Sequence, residues 1–469
     1  MLWAAAAATA LGSALSSFRP GGVVLTLGAL SGAILVTRRP ASARLLGILL
    51  LGTWAGAATA TRPLPADSTA AVLAGDIAAC SINARVIEHA GGLGTLLEVR
   101  RATCGARPPL NEIGLVVVDR LEHEPASTIA AKGWFLPLGD DGFSRARARL
   151  GALATFDARE IRMISRPTGL AAVASSYRRA LMRTTSSLDS LSGALLEGLT
   201  IGETSRIDEA TEHRFRRTGL AHLVAVSGSN VAIVLGAVAL ATAGSLFVFR
   251  IFASGLVLFL FVLVVGPEPS VLRAVAMGTL GLVGLVVGRP SHPLQALAAT
   301  LIVLVCLRPH LLYSVGLHLS AAATAGLVLW ARPLGRSLAG LLPSPLAYAL
   351  AVPAAAQSAV APILATTFGE ISLVAPLANL AALPAVPPAT VLGFCAGAGD
   401  LLHERLGVLI ATIAEPFARW ILWVAEVAAR PEWASVRCPR WAGLLLAVPV
   451  SAAAALTLAK GGRGGDSDR

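Results

Sequence analysis

The residues of this chain with the clearest potential for chemistry lie inside a long apolar run. Residues 219–234 read GLAHLVAVSGSNVAIV, and the run carries His222, Ser227, Gly228 and Asn230. A polar atom that hydrocarbon cannot satisfy costs several kcal/mol. Polar side chains in such a segment therefore indicate either a polar pathway or a buried joint between helices.

Three further segments of the second half break the same apolar pattern. Prolines accompany two of them, and a proline inside a span removes a backbone hydrogen bond, so we expect broken or re-entrant helices there. Charged side chains near span ends can instead reach the interface, and amides and hydroxyls can simply join helices. Both explanations stay open at this point. The polar residues are Ser270 and Arg273, then His318, and then Gln357, Glu370 and Asn379.

The composition indicates the class of protein that must position these groups. Hydrophobic residues make up 55% of the 469 residues, charged residues 14%, and the mean hydropathy is +0.71. Repeated apolar segments separated by short arginine- or proline-bearing breaks are typical of a multi-span membrane protein. The length allows about ten to twelve spans and one soluble domain.

The net charge of +11 comes almost entirely from arginine. Much of the excess lies at segment edges, where cations anchor spans or meet anionic headgroups. Membrane topology explains this pattern, and so does a surface that attracts a polyanion. The charge alone does not choose between them.

The domain plan begins with transmembrane helices over residues 1–62. Arg38, Arg39 and Arg44 lie in a short loop that the positive-inside bias places in the cytoplasm, so the soluble region that follows should lie outside. Residues 67–167 contain short alternating runs separated by glycines, which predict strands. The chain is therefore predicted to be a polytopic α-helical membrane protein with an inserted small β-barrel (OB-like) extracytoplasmic domain.

Small barrels of this type often bind single-stranded nucleic acid or oligosaccharide. Trp134 could stack on a base, and Arg145, Arg147 and Arg149 form a basic run. Aromatic residues of a small barrel more often pack in its core, and the charges of this domain nearly balance. These aromatic and basic residues therefore have two interpretations, which are contact with nucleic acid and packing within the domain.

Cysteine positions suggest one covalent link. Cys80 and Cys104 both lie in the predicted external domain, where an oxidising compartment would let them pair. Their spacing excludes a C-x-x-C metal or redox motif.

After the β domain, residues 168–217 show apolar positions at helical spacing with arginines opposite, which favours amphipathic surface helices. Spans resume over residues 218–460, several of them short or broken by proline. A short disordered cytoplasmic tail is expected over 461–469.

The ordered motifs of this second half resemble the ComEC family of competence proteins. Residues 219–231 are similar to the family's GL-HLLAISGLHV stretch, although Asn230 replaces the usual histidine. The order continues with Leu199–Glu203, where the family commonly has an aspartate at the position of Glu203, and with Pro269–Ala274. Val315–Ser320 and Phe368–Asn379 complete the similarity.

The resemblance implies a channel for single-stranded DNA across the cytoplasmic membrane during natural transformation. Residues 218–460 would then be a competence-type transmembrane channel domain. Polar side chains of broken helices would line a water-filled channel or support its wall. Under this hypothesis the wall includes His222, Ser227, Gly228, Asn230, Ser270, Arg273, His318, Gln357, Glu370 and Asn379.

The sequence lacks two catalytic motifs, and each would have supplied an activity that DNA uptake needs. No H-x-H-x-D-H cluster occurs, so we expect no metal site of the metallo-β-lactamase type and no nuclease activity by that route. No Walker A motif occurs either, so no cofactor and no motor activity are expected. The resemblance implies an extracytoplasmic DNA receptor and a cytoplasmic helicase-like ATPase as partners, besides the lipid bilayer.

A second hypothesis comes from another class of function. The chain could be a polytopic membrane enzyme or a carrier for another anionic substrate, such as a lipid-linked phosphate or sugar. Glu203, His222 or Glu370 would then serve as acid or base groups. A purely structural membrane scaffold fits the polar span residues poorly.

Overall fold

The computed structural model describes residues 79–89, 94–105, 109–119, 126–139, 144, 147, 152–224, 226–266, 268–288, 293–307, 311, 314–439, 441–443, 445–450 and 453. They form two compact units, which meet in sequence between Arg179 and Ala180. The predicted helices over 1–62 and the predicted tail over 461–469 lie outside the described residues.

The first unit is built from five strands. β1 pairs antiparallel with both β2 and β4, β2 pairs with β3, and β4 pairs with β5. β3 and β5 run parallel and pair over only two positions, Val116 with Ala154 and Val117 with Thr155. The strands are β1 Cys80–His89, β2 Thr95–Cys104, β3 Leu110–Val118, β4 Thr128–Leu136 and β5 Ala154–Ser165.

Alternating side chains give this unit its core. Phe135 and Phe156 are fully enclosed, and their rings meet edge to face with centroids 5.0 Å apart. Gly133 lies where a side chain would collide with the backbone of Asp157. The predicted β domain is present, while its assignment to the OB type stays a prediction.

Cys80 and Cys104 are joined by a disulfide. The two residues are opposite one another at the paired ends of β1 and β2. The bond thus closes the first hairpin of the unit at its open end, where no turn holds the strands together.

From residue 170 onwards the chain is mainly helical. The helices are α1 Leu170–Thr185, α2 Ser190–Ile201, α3 Glu209–Arg217, α4 Ala221–Val224, α5 Gly228–Ala241, α6 Phe247–Val265, α7 Pro269–Val286, α8 Pro293–Leu307, α9 Val315–Leu338, α10 Ser344–Phe368, α11 Ala375–Ala382, α12 Val386–Leu402 and α13 Glu404–Ala429. Two short strands, β6 Glu370–Ser372 and β7 Ser435–Arg437, pair antiparallel.

Five helices of the described residues are long and apolar enough to cross a membrane, namely α6, α7, α9, α10 and α13. The pair α11 and α12, bent by 52°, would make a sixth span. At most 39% of the apolar window of any of the five is buried within the chain, so most of this surface faces outward. The sequence predicts more spans over the whole chain, but residues 1–62 lie outside the described residues, and α5 and α8 are too short to cross alone.

The helix α2 is the buried centre of the helical unit. Every residue from Ser192 to Ile201 is buried, and its leucines pack against α12, α13 and the start of α4. Asp189 caps its first turn, and Gly202 ends it with a φ of 75°. The sequence pattern favoured a surface position for residues 168–217; α2 instead lies inside, because its two faces are both apolar.

The helices α9 and α10 form a closely packed hairpin. Gly326 of α9 lies directly against Ala355 and Ala359 of α10, and Gly335 lies against the ring of Tyr348. Small residues let helix backbones approach in lipid, where dispersion contacts replace the hydrophobic effect as the driving force. The hairpin therefore depends on the missing side chain at these glycines.

Replacing Gly326 with Ala should destabilise the helical unit by about 1–3 kcal/mol. The added Cβ would lie 2.5 Å from Ala359 Cβ and 2.7 Å from the carbonyl oxygen of Ala355. Thermal unfolding of the detergent-solubilised protein would report this as a lower midpoint. Gly255→Ala on α6 is the matched control, since its Cβ would meet nothing within 4 Å. Equal midpoints for the two variants would contradict the proposed close contact.

Candidate functional site

The break between α4 and α5 lies within the polar motif of residues 219–231. Asn230 is fully buried, and its Nδ2 donates to the carbonyl oxygen of Leu199 at 2.8 Å. That carbonyl lies in the last turn of α2, where helical backbone oxygens lose their own partners. Asn230 thus joins the beginning of α5 to the end of the buried helix.

The other polar groups of the same motif lie further out. His222 is exposed, and its Nδ1 lies 3.1 Å from the carbonyl oxygen of Gly219. The hydroxyls of Ser227 and Ser229 lie 2.5 Å apart at the first turn of α5. Ser227 occupies the N-cap position, but its side chain makes no capping bond.

Arg273 on α7 connects three helices and is 7% exposed. Its Nε donates to Ser320 Oγ at 2.7 Å, and its Nη1 donates to Thr324 Oγ1 at 2.8 Å, both on α9. Its Nη2 lies against Gly228, where an added Cβ would collide with that nitrogen. The sequence motifs at 219–231 and 269–274 thus meet in space.

One turn before Arg273, Ser270 reaches across the same break. Its hydroxyl donates to the carbonyl oxygen of Val226 at 3.0 Å. Val226 lies between α4 and α5, so Ser270 satisfies a backbone group that the break exposes.

A second helix break, between α10 and α11, contains Glu370, while Gln357 lies within α10 and Asn379 within α11. Gln357 Nε2 donates to the carbonyl oxygen of Ser372 at 3.4 Å, and Asn379 Nδ2 donates to that of Ala375 at 2.8 Å. Glu370 on β6 accepts from the hydroxyl of Ser435 on β7 at 2.5 Å. His318 lies in the first turn of α9 and is half-buried.

The geometry therefore brings Gly228, Ser270 and Arg273 together and places Gln357 and Glu370 near another break. Asn230, Ser270 and Gln357 bond backbone carbonyls at the breaks, whereas Asn379 bonds a carbonyl of its own helix. Their role as the wall of a path stays a prediction.

The candidate residues of the β unit divide by position. Trp134 is half-buried, with the guanidinium carbon of Arg159 5.8 Å from the ring centroid. Arg147 is 7% exposed, and its guanidinium bonds Asp119 and Thr155. These contacts lie within the β unit and stabilise it. Arg145 and Arg149 lie outside the described residues.

A buried carboxylate that the sequence analysis did not single out lies in α2. Glu197 is fully buried; its Oε1 accepts from Arg206 Nη1 at 2.6 Å and from the hydroxyl of Thr185. Burial raises the pKa of Glu197, while the bonds from Thr185 and Arg206 oppose that rise. Among the described residues its Oε2 finds no hydrogen-bond partner.

Asp400 on α12 is a second buried acid that the sequence analysis missed. Its oxygens accept from Arg183 at 2.6 Å and from Thr184 Oγ1 at 3.0 Å. A lone acid inside an apolar helical run was the available signal for both residues. Glu203, in contrast, is half-buried and accepts from the backbone amide of Ser205 at 3.0 Å.

No group of three or more His, Cys, Asp or Glu side chains that could hold a metal ion occurs within the part of the chain that the structure describes. The two buried acids Glu197 and Asp400 are instead each paired with an arginine.

Long apolar helices, broken helices with polar joints and internal ion pairs together define a polytopic helical membrane protein. The model of the Competence protein family matches residues 199–463, more than half of the chain. The chain therefore belongs to this family of ComEC-type competence proteins.

One curated relative shows the extent of the similarity. The chain is 28% identical over 240 residues to ComE operon protein 3 of Bacillus subtilis (strain 168). The aligned part covers 47% of this chain and 29% of that protein. The chain thus matches less than a third of the length of this relative. No solved structure matches the chain.

Replacing Arg206 with Gln should lower the free energy of unfolding by about 3 kcal/mol. This value is at the low end for a buried ion pair because Arg206 is itself partly exposed. The substitution leaves a buried carboxylate without its cation. Because burial already raises the pKa of Glu197, the deficit should shrink in acidic buffer, where the carboxyl group is protonated. The unfolding midpoint measured across a pH series would show this.

The matched control is Arg216→Gln, which breaks an exposed pair with Glu212 and should cost less than about 0.5 kcal/mol. The double variant Glu197→Gln, Arg206→Gln should recover most of the loss. If Arg206→Gln and Arg216→Gln had the same midpoint at every pH, the buried pair would not have the role assigned to it.

Proposed function

We propose that this chain forms part of a channel that imports single-stranded DNA across the cytoplasmic membrane during natural transformation. The supporting observation is the match to the Competence protein family over residues 199–463, the region that contains both polar helix breaks. Broken helices are tolerated at membrane depth only where they are buried in protein or line a cavity. A channel contains both settings, because its broken helices are buried against other helices or line the path through the membrane.

The β unit fits this proposal as a guide for the strand outside the membrane. Its five strands follow the order β1-β2-β3-β5-β4 with only two paired positions between β3 and β5, which is compatible with the partly open barrel of an OB-type domain. Trp134 and Arg159 offer a ring and a cation on one side of β4 and β5. Stacking on such a ring tolerates any base sequence.

Energy must come from a partner. Moving one negative charge inward against an inside-negative potential costs about 2.3 kcal/mol per 100 mV. The sequence contains no Walker A motif. We therefore expect a helicase-like ATPase to pull the strand in the cytoplasm and a DNA receptor to deliver it outside.

The alternative of a membrane enzyme or carrier for a lipid-linked phosphate or sugar rests on Glu203, His222 and Glu370. Each of these groups bonds within its own neighbourhood, Glu203 with Ser205, His222 with Gly219 and Glu370 with Ser435. These contacts give no support to a shared acid–base centre.

Deleting the gene should abolish transfer of labelled DNA into the cytosol while leaving binding of DNA at the cell surface intact. The reason is that only the membrane step would be lost. Nuclease-resistant label inside competent cells measures transfer, and nuclease-sensitive label measures surface binding. A plasmid copy of the wild-type chain should restore transfer. Undiminished transfer in the deletion strain would refute the proposed function.

A further inference from the structure

Arg273 carries a charge that the described residues do not neutralise. Its hydrogen bonds go to two hydroxyls and to the sulfur of Met277, which are all uncharged partners. The other buried ions of the helical unit differ, because Glu197 pairs with Arg206 and Asp400 with Arg183. A buried cation without a counter-ion is costly, so an anion that approaches it gains strongly.

The free end of this cation points to the beginning of a helix. Nη2 makes no hydrogen bond with the described residues and lies against Gly228, the first residue of α5. The amides of a first helical turn lack intrahelical partners and carry a partial positive charge. Ser227 makes no side-chain capping bond, so the amides of Gly228 and Ser229 have no side-chain cap, whereas the amide of Asn230 donates to the carbonyl oxygen of Ser227 at 3.1 Å.

The two features converge on one ligand chemistry. A guanidinium and a helix N-terminus both bind phosphate oxygens, and the hydroxyls of Ser227 and Ser229, which bond each other, lie in the same first turn. We infer that Arg273 and the first turn of α5 form a phosphodiester-binding site. The inference rests on the proposed function for its ligand, which is the backbone of single-stranded DNA passing α5.

Gly228 is part of the same inference. Because Arg273 Nη2 occupies the space of a side chain at this position, only glycine lets the guanidinium lie against the helix end. Ser320 and Thr324 hold the other side of the guanidinium and set its direction. They are positioning residues for Arg273.

The test is the salt dependence of binding by the full chain in nanodiscs of neutral lipid. A fluorescent oligothymidylate of about 20 nucleotides is the probe, and an uncharged-backbone analogue of the same length is the reference. Arg273→Gln should weaken oligothymidylate binding roughly tenfold and lower the slope of log affinity against log salt by about 0.7, the contribution of one phosphate. Binding of the analogue should not change.

Two further variants separate this role from a structural one. Arg273→Lys keeps the charge and should keep the salt slope, with only part of the affinity lost because a single ammonium group cannot bond Ser320, Thr324 and a phosphate in the geometry of the planar guanidinium. Arg250→Gln removes an exposed arginine of α6 and should leave affinity and slope as in the wild type. Thermal midpoints identify any variant that has not folded, and Arg273→Lys then carries the comparison.

The outcomes are distinct for the inference and for the proposed function. A folded Arg273→Gln variant with unchanged slope and affinity overturns the phosphate site, whereas DNA transfer by the gene deletion strain overturns the function. Nanodiscs containing phosphatidylglycerol distinguish the source of the phosphate. If Arg273→Gln binds oligothymidylate like the wild type in neutral lipid but binds less phosphatidylglycerol, the site takes lipid headgroups and DNA is not its ligand.

Discussion

A helix break inside an apolar bundle leaves backbone N–H and C=O groups without a hydrogen-bond partner. The structure of the helical unit depends on the side chains that supply those partners. Asn230 meets the carbonyl of Leu199, Ser270 that of Val226, and Gln357 that of Ser372. Each bond satisfies an oxygen that neither lipid nor helix would satisfy. The polar residues of the sequence are therefore first of all the reason why broken helices can exist here.

Charged groups follow a second rule in the same unit. Glu197 and Asp400 are buried and paired with arginines that reach the surface in part, so the charge is neutralised where it is enclosed. Arg273 differs, since the described residues that it bonds supply two hydroxyls and a thioether sulfur, which are all uncharged. The contrast between paired acids and one unpaired cation separates groups that stabilise the fold from a group that remains available to an anion.

The sequence predicted the membrane class, the β unit and the two polar segments that meet at Arg273, because apolar length, short alternating runs and polar interruptions are all visible in one dimension. It did not predict α2 as the buried centre, since arginines at helical spacing on both sides of 190–201 suggested a surface. It also missed Glu197 and Asp400, whose partners lie far away or in a loop. Which of Trp134 and Phe135 faces the core depends on strand register, which composition cannot set.

The hairpin of α9 and α10 has a consequence for motion. At Gly326 the backbones of the two helices meet with no long side chain between them, so we expect α9 and α10 to move together as one rigid pair. Any widening of the bundle must then occur by rotation about the short connections before α5 and after α10.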